Sequence, residues 1–438
     1  MGKRENPLCK RWILGWAIAL VWLGCASCSL PQVNAEDRLF LPLSVDFLDE
    51  YVLPATEYEG TPVGGLSAIT YDRQRDRLYA LSDDRGSLAP PRFYTLQIQT
   101  MSDTSDTRSG EATLNDVVID DAVIDDAAIA SRPTPPITID TVAIESVTFL
   151  STEDGSSYEP GTIDPEGIVL SPQRTLFISS EGDSSARIAP SIDEFDPTTG
   201  QRLRRLPIPT KFLPSSQLPP SNQLFVNPSQ LNDDPADPQA SGVQNNRGFE
   251  ALALSAAGRG EPYRVFAGIE APLTQDQDVA DASDSQPGRI LHYVVSPEQA
   301  FVLSEHVYPI EPLPFGAVSN GLVELLVLDQ GGHLLSLERS YGLGGIRAKL
   351  FQLVFSNAND TSTRPVLPPD LMGVQPMRKR LLLDLHELGI PLDNLEGLTL
   401  GPRLPDGSPS LLLISDNNFN PEEQFTQLLL FRLNGLNR

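Results

Sequence analysis

One small plan is repeated along this chain: four short β-strand runs joined by tight turns, resumed after each irregular stretch. In one unit Glu166 opens the run to Leu170. A turn at Ser171 to Arg174, strands at Thr175 to Ser180 and Ser191 to Asp196, a Thr199-Gly200 turn and Arg202 to Ile208 complete it. A second unit holds Glu250 to Ser255, Tyr263 to Glu270, Arg289 to Val295 and Phe301 to Ile310. A third holds Val323 to Asp329, His333 to Tyr341, Lys349 to Phe355 and Arg378 to Leu385. An earlier one holds Leu66 to Tyr71, Arg77 to Ser82, Arg92 to Gln97 and Thr141 to Leu150. Short antiparallel meanders at this spacing exclude alternating strand–helix folds and point to radial repetition of four-stranded sheets.

The last unit, Glu396 to Leu400, Ser410 to Ser415 and Thr426 to Leu433, lacks one strand, and an unassigned strand pattern lies at Arg38 to Val52. The expected fold is therefore an all-β propeller of about five blades, its ring closed by the N-terminal strand; six blades would require one hidden in an irregular insert. The domain is expected over 38–436. Three low-complexity inserts interrupt it, at 101–136, 214–246 and 274–287. Their apolar content is too low for cores of their own. The tandem Val118-Ile119-Asp120-Asp121-Ala122 and Val123-Ile124-Asp125-Asp126-Ala127 reads as disordered insert rather than as a calcium site.

Residues 1–35 read as an export leader. Lys3, Arg4, Lys10 and Arg11 precede an apolar run, Trp12 to Leu23, which is short for a membrane span. Val33-Asn34-Ala35 has the small-residue form of a signal peptidase site. Lipoprotein processing before Cys25 or Cys28, or an uncleaved anchor, are the alternatives, and each places the folded part outside the cytoplasm: periplasmic, extracellular or membrane-anchored. All three cysteines fall in this segment, so the domain is expected to have neither a disulfide nor a thiolate metal site.

Charge narrows the partners. Lys and Arg total 32 against 58 Asp and Glu, a formal net charge of -26, which disfavours nucleic acid and attracts divalent cations. The acids also sit at particular places. In an antiparallel blade the start of strand one and the end of strand two share one face, and strand one of a propeller blade lines the channel. Glu166, Glu250 and Glu396 open first strands; Glu181 with Asp183, Glu270 and Asp416 close second strands. Asp83 and Asp84 close the corresponding strand of the earliest unit, and Glu338-Arg339 that of the unit from Val323 to Leu385, fourth in chain order, which has no acidic opener. These carboxylates should gather around one opening, where mutual repulsion calls for a cation such as calcium, bound by roughly 6–8 oxygens. The competing role is structural, each carboxylate accepting backbone hydrogen bonds from the next blade. Asp84, Glu181, Asp183, Glu270, Glu338 and Asp416 are the candidate metal ligands; Glu166, Glu250, Glu396, Arg339 and Arg247 are the candidate catalytic residues, with Arg85 also near. His292, His306, His333 and His386 are scattered, which disfavours zinc.

Asp164-Pro165-Glu166-Gly167, Asn246-Arg247-Gly248-Phe249-Glu250-Ala251, Leu337-Glu338-Arg339-Ser340-Tyr341, Asn394-Leu395-Glu396-Gly397 and Ser415-Asp416-Asn417-Asn418-Phe419 resemble the phytase-like family, that of the esterase-like activity of phytase. Gly64-Gly65-Leu66-Ser67 and Ser82-Asp83-Asp84-Arg85-Gly86 fit its opening. The resemblance implies a propeller hydrolase acting on a small-molecule ester or phosphate ester, and propeller phytases use calcium to bind phosphate and position a water. Their calcium ligands do not map residue by residue onto this chain, and the three inserts depart from the compact pattern. The alternative is a propeller that binds a ligand or protein without catalysis. A serine esterase is disfavoured, because there is no Gly-x-Ser-x-Gly elbow and no His-bearing motif beside a candidate Ser.

Overall fold

The computed structural model describes residues 39–102, 137–214, 241–255, 257–258, 260–280 and 284–436. The chain divides into two units, Met1–Phe40 and Leu41–Arg438; of the first only Leu39 and Phe40 are described, and the fold belongs to the second. The leader at 1–35, most of the first two inserts and the tandem Asp segment lie outside the described residues. No helix among the described residues is long and apolar enough to cross a membrane.

The chain enters through β1 (Ser44–Leu53) and a two-stranded hairpin, β2 (Thr56–Tyr58) and β3 (Thr61–Val63). Blade 1 is β4 (Leu66–Asp72), β5 (Arg77–Ser82), β6 (Arg92–Ser102) and β7 (Ile137–Phe149). Blade 2 is β8 (Pro165–Leu170), β9 (Leu176–Ser180), β10 (Ser191–Phe195) and β11 (Arg202–Arg205). Blade 3 is β12 (Phe249–Ser255), β13 (Tyr263–Ile269), β14 (Gln286–Val295) and β15 (Ala300–Ile310). Blade 4 is β16 (Ala317–Val327), β17 (His333–Gly342), β18 (Gly345–Val354) and β19 (Arg378–Asp384). Blade 5 takes β20 (Asn394–Leu400), β21 (Ser410–Asp416) and β22 (Thr426–Asn434), and β1 pairs antiparallel with β22 as its outer strand. The fold is a five-bladed β-propeller closed by the N-terminal strand, as the repeat count predicts.

The strand patterns follow from this packing. A mid-blade strand is covered by a blade on each side, so β9 and β10 are buried at every position, whereas the outer strand β11 alternates. Each blade interface carries its own apolar cluster. Ile69 and Leu78 meet Leu412 and Leu428 between blades 1 and 5; Leu81 and Phe93 meet Ile168 and Ile178 between blades 1 and 2. Phe177 and Ile192 meet Leu252 and Val265, Phe266 and Ile290 meet Leu325 and Leu353, and Leu335 and Leu350 meet Leu398 and Leu413. With about 1.5–3 kcal/mol for each fully buried large apolar side chain, these interfaces hold the ring together without a disulfide. Glycine permits the closest approaches: a Cβ on Gly167 would sit 2.1 Å from the Glu250 carbonyl oxygen of the next blade.

The insert at 274–287 is in part built into the fold. Thr274–Asp276 forms a 3₁₀ turn, and Asp276 is fully buried against Arg289, their closest atoms 2.7 Å apart. Gln286 already belongs to β14. A polar sequence here makes a buried ion pair, which composition alone does not reveal.

Candidate functional site

Every first strand carries a register shift at the same place. It falls between Leu66 and Ala68, Pro165 and Ile168, Phe249 and Ala251, Leu322 and Glu324, and Leu395 and Gly397. The displaced residues are Ser67, Glu166 with Gly167, Glu250, Val323 and Glu396. A bulge bends its strand and re-aims a side chain; here Glu166, Glu250 and Glu396 line one cavity at the mouth of the ring. Ser67 instead donates from Oγ to the Glu166 carbonyl, 2.9 Å away, tying blade 1 to blade 2.

A second ring lies at the ends of the second strands in four blades and at the equivalent position inside β17 in blade 4. Asp83, Glu181, Glu270, Arg339 and Asp416 come one from each blade, and all line the same cavity, whose volume is about 870 Å³. Two sequence expectations are corrected by this register. Asp84 faces away from the cavity: its carboxylate accepts from the backbone N–H groups of Gly86, Ser87, Leu88 and Ala89 and pairs with buried Arg92 at 2.8 Å. Asp83 occupies the ring position instead. Glu338 likewise points to the other side of its strand, where it accepts from Tyr308 Oη at 2.7 Å and pairs with Lys379; its neighbour Arg339 faces the cavity. Successive residues of a strand point to opposite faces, so a one-residue error exchanges them. Asp183 stands outside the cavity lining, its Oδ1 taken up by the N–H groups of Ser185 and Ala186 in a local turn.

Three arginines meet the acids. Arg339 Nη1 donates to Asn394 Oδ1 at 2.9 Å, and its Nη2 lies 3.6 Å from Glu270 and 3.4 Å from Glu396. Arg247 Nε is 3.5 Å from Glu270 Oε2, and Arg85 Nε is 2.6 Å from Asp164 Oδ1. The acids still dominate. Carboxylate oxygens of Asp164, Glu166 and Glu181 lie within 4.8 Å of one another, and so do those of Glu181, Glu250 and Glu270. Glu181 Oε1 accepts from the Gly248 N–H at 2.6 Å, while Glu181 Oε2, Glu250 Oε2 and Asp83 Oδ1 are buried and accept no hydrogen bond from the described residues.

Such crowding shifts the acids. Burial, reinforced by neighbouring carboxylates, raises Glu166, Glu181 and Glu250 well above the usual carboxylate range. Burial raises Asp83 to about 7, with Glu396 and Asp164 adding to it, and raises Asp164 to about 6 against the opposing charge of Arg85. Burial also lifts Glu396 to about 8 although Arg339 opposes it, and Asp416 to about 8 with help from Asp83. Burial alone would lower Arg339, but Glu396, Glu270 and Glu250 hold it above its ordinary value. Without a further cation, several of these acids keep their protons at neutral pH.

The family described as "Esterase-like activity of phytase" matches residues 61–419, the span that carries both rings. The chain belongs to the phytase-like family. No curated protein matches it. Among solved structures, an endo-arabinase from Bacteroides thetaiotaomicron is 10% identical over 86% of this chain and 97% of that one, with a TM-score of 0.37. The catalytic domain of an α-L-arabinofuranosidase from Coprinopsis cinerea is 8% identical over 89% and 97%, with a TM-score of 0.33. A hypothetical protein from Leishmania major is 10% identical over 89% and 90%, with a TM-score of 0.35. At these values the likenesses carry no argument about activity. Membership of the phytase-like family points to a hydrolase, and the clusters named above are able to hold a metal ion.

Proposed function

We propose that this phytase-like chain is an exported hydrolase that cleaves a small-molecule phosphate ester, or another ester, at the acidic mouth of the ring with the help of calcium. The observation that carries this is the pair of three-carboxylate clusters sharing Glu181, with buried oxygens of Glu181 and Glu250 that accept no hydrogen bond from the described residues. Hard carboxylate oxygen donors suit calcium better than zinc. Asp164, Glu166, Glu181, Glu250 and Glu270 are the residues that would hold it. Bound calcium would neutralise phosphate oxygens and favour ionisation of a water.

The chain's own groups supply the rest. Arg339 is fixed by Asn394 and two acids, so it offers preorganised positive charge to an anionic substrate. Arg247 is partly exposed on the same wall and can orient the substrate. Glu396 accepts from Asn394 Nδ2 through Oε1, at 2.8 Å. That leaves Oε2 to carry the proton that a raised pKa retains, in position to protonate a leaving oxygen. Export rests on the leader at 1–35, and the mature N-terminus, read by mass spectrometry, tests it: an unprocessed, cytoplasmic chain would contradict it.

Hydrolysis of a chromogenic phosphate monoester tests the chemistry. The expected result is activity that a calcium chelator abolishes and that Glu166→Gln with Asp416→Asn removes without unfolding. Activity surviving that double change contradicts the assignment. Calcium binding with no hydrolysis of any ester would make the site a binding module.

A further inference from the structure

A second constellation lies in the cleft between blades 3 and 4, among residues that the acidic mouth does not use. His292 on β14 and Ser304 on β15 are cross-strand partners, and His306 follows Ser304 by two residues on the same strand face. Four contacts join them into a chain. Arg264 Nη1 is 2.9 Å from His292 Nε2; His292 Nδ1 is 3.1 Å from Ser304 Oγ; Ser304 Oγ is 3.0 Å from His306 Nε2; and His306 Nδ1 is 3.1 Å from the Asn359 carbonyl oxygen.

The two ends fix the direction of every proton. A guanidinium only donates and a carbonyl only accepts. His292 therefore accepts at Nε2 and carries its hydrogen on Nδ1, which donates to Ser304 Oγ. His306 carries its hydrogen on Nδ1 for Asn359, and its Nε2 accepts from Ser304. The serine proton is thus aimed at a neutral imidazole whose far side is held by a fixed acceptor. This is the arrangement of nucleophile, base and orienting group that activates a hydroxyl. Burial lowers the pKa of both histidines, His292 to about 4, which keeps the rings neutral.

The surroundings suit an uncharged substrate. A cavity of about 390 Å³ opens on these side chains, walled by Phe266, Phe355, Leu303 and Leu334. Phe266 stacks on His292 with ring centroids 4.5 Å apart, and Phe355 meets His306 edge-on at 5.1 Å. No carboxylate contacts the Ser304 hydroxyl among the described residues, and Arg264 brings positive charge to the same wall.

We propose that Ser304 is the nucleophile of a second, metal-independent site that takes small uncharged carboxyl esters with an apolar acyl or aryl group. Ser304 Oγ bonds to the ester carbonyl carbon while its proton passes to His306 Nε2. The carbon–oxygen bond to the alcohol then breaks, and the alcohol leaves with that proton. Water attacks the acyl-serine, again giving a proton to His306, and the released acid and the restored serine balance the reaction. Arg264 acts through His292: by donating to Nε2 it fixes the ring whose Nδ1–H points at Ser304 Oγ.

Two measurements on the full chain test this, both in excess chelator so that the acidic mouth is silenced. A fluorophosphonate probe is expected to label Ser304, located by peptide mass spectrometry. Hydrolysis of p-nitrophenyl acetate is expected to fall about a hundredfold in Ser304→Ala and in His306→Gln, with the thermal transition of each variant confirming its fold. No label on Ser304 of the folded protein, or hydrolysis retained in a folded Ser304→Ala variant, would overturn the proposal. Because the probe reads wild-type protein, a variant that fails to fold does not hide the answer. Because the chelator is present throughout, the result is independent of the phosphate-ester reading.

Discussion

Arg339 Nη2 lies 3.4 Å from Glu396 Oε1, so the one cation in the ring of second-strand ends is held by an acid from the adjacent blade's first strand. The pair spans blades 4 and 5 and sits where carboxylates otherwise accumulate. Arg339→Met removes that charge and leaves Glu270 and Glu396 facing each other. An expected loss of about 3 kcal/mol follows from breaking a buried ion pair, read by urea unfolding of the calcium-free protein. Added calcium should recover part of the loss, because a dication supplies the missing charge.

Stability of the calcium-free protein should fall as pH rises. Asp83, Glu396 and Asp416 are raised to about 7, 8 and 8, above ordinary carboxylate values of about 4. Between those limits the folded state holds more protons than the unfolded chain, so the free energy of unfolding decreases with increasing pH. The stabilisation is complete below about pH 4 and is lost through pH 7 to 8 for these groups. The thermal transition in chelator should drop by several degrees from pH 5 to pH 8, and saturating calcium should flatten the dependence.

Asp84 gives the contrasting case. Burial alone would raise its pKa, but Arg92 and the N–H groups of Ala89, Leu88 and Ser87 hold it below the usual range. Asp84→Asn should cost about 3 kcal/mol, as for a broken buried pair, and leave the calcium stoichiometry unchanged. Denaturant unfolding and calcium titration of the same sample separate these two effects.

The blade count and the closing strand were legible because turn spacing and strand periodicity repeat. The placement of Glu166, Glu250 and Glu396 at one end of the ring was legible too, because antiparallel pairing fixes which strand ends share a face. Register was harder. Naming Asp84 as the ligand in place of Asp83 is a slip of one residue, and naming Glu338 as a ligand beside Arg339 puts two neighbours on one face, where period-two alternation sends them to opposite faces. A signal did exist: Ser82-Asp83, Ser180-Glu181 and Ser415-Asp416 repeat a serine followed by an acid at equivalent positions. Asp164 stood in a quoted motif but was not singled out; strand pairing sets it beside Glu181, whose N–H donates to its carbonyl, and the bulge that follows brings Glu166 to both. His292 and Ser304 were unreadable as a pair, because only the register of β14 on β15 joins them. Ser304 and His306, two apart on one strand, were the visible half of that signal, and the expectation that no histidine stands beside a candidate serine passed over them.

Calcium titration calorimetry of the wild-type chain and of Glu181→Gln/Glu250→Gln, at pH 8, tests the convergence of the acids most directly. The wild type is expected to bind calcium and the folded double variant to bind roughly tenfold or more weakly, while gaining stability in chelator from the removal of two crowded carboxylates. A folded wild type that binds no calcium, or a double variant with unchanged affinity, would contradict a cation site at the mouth of the ring.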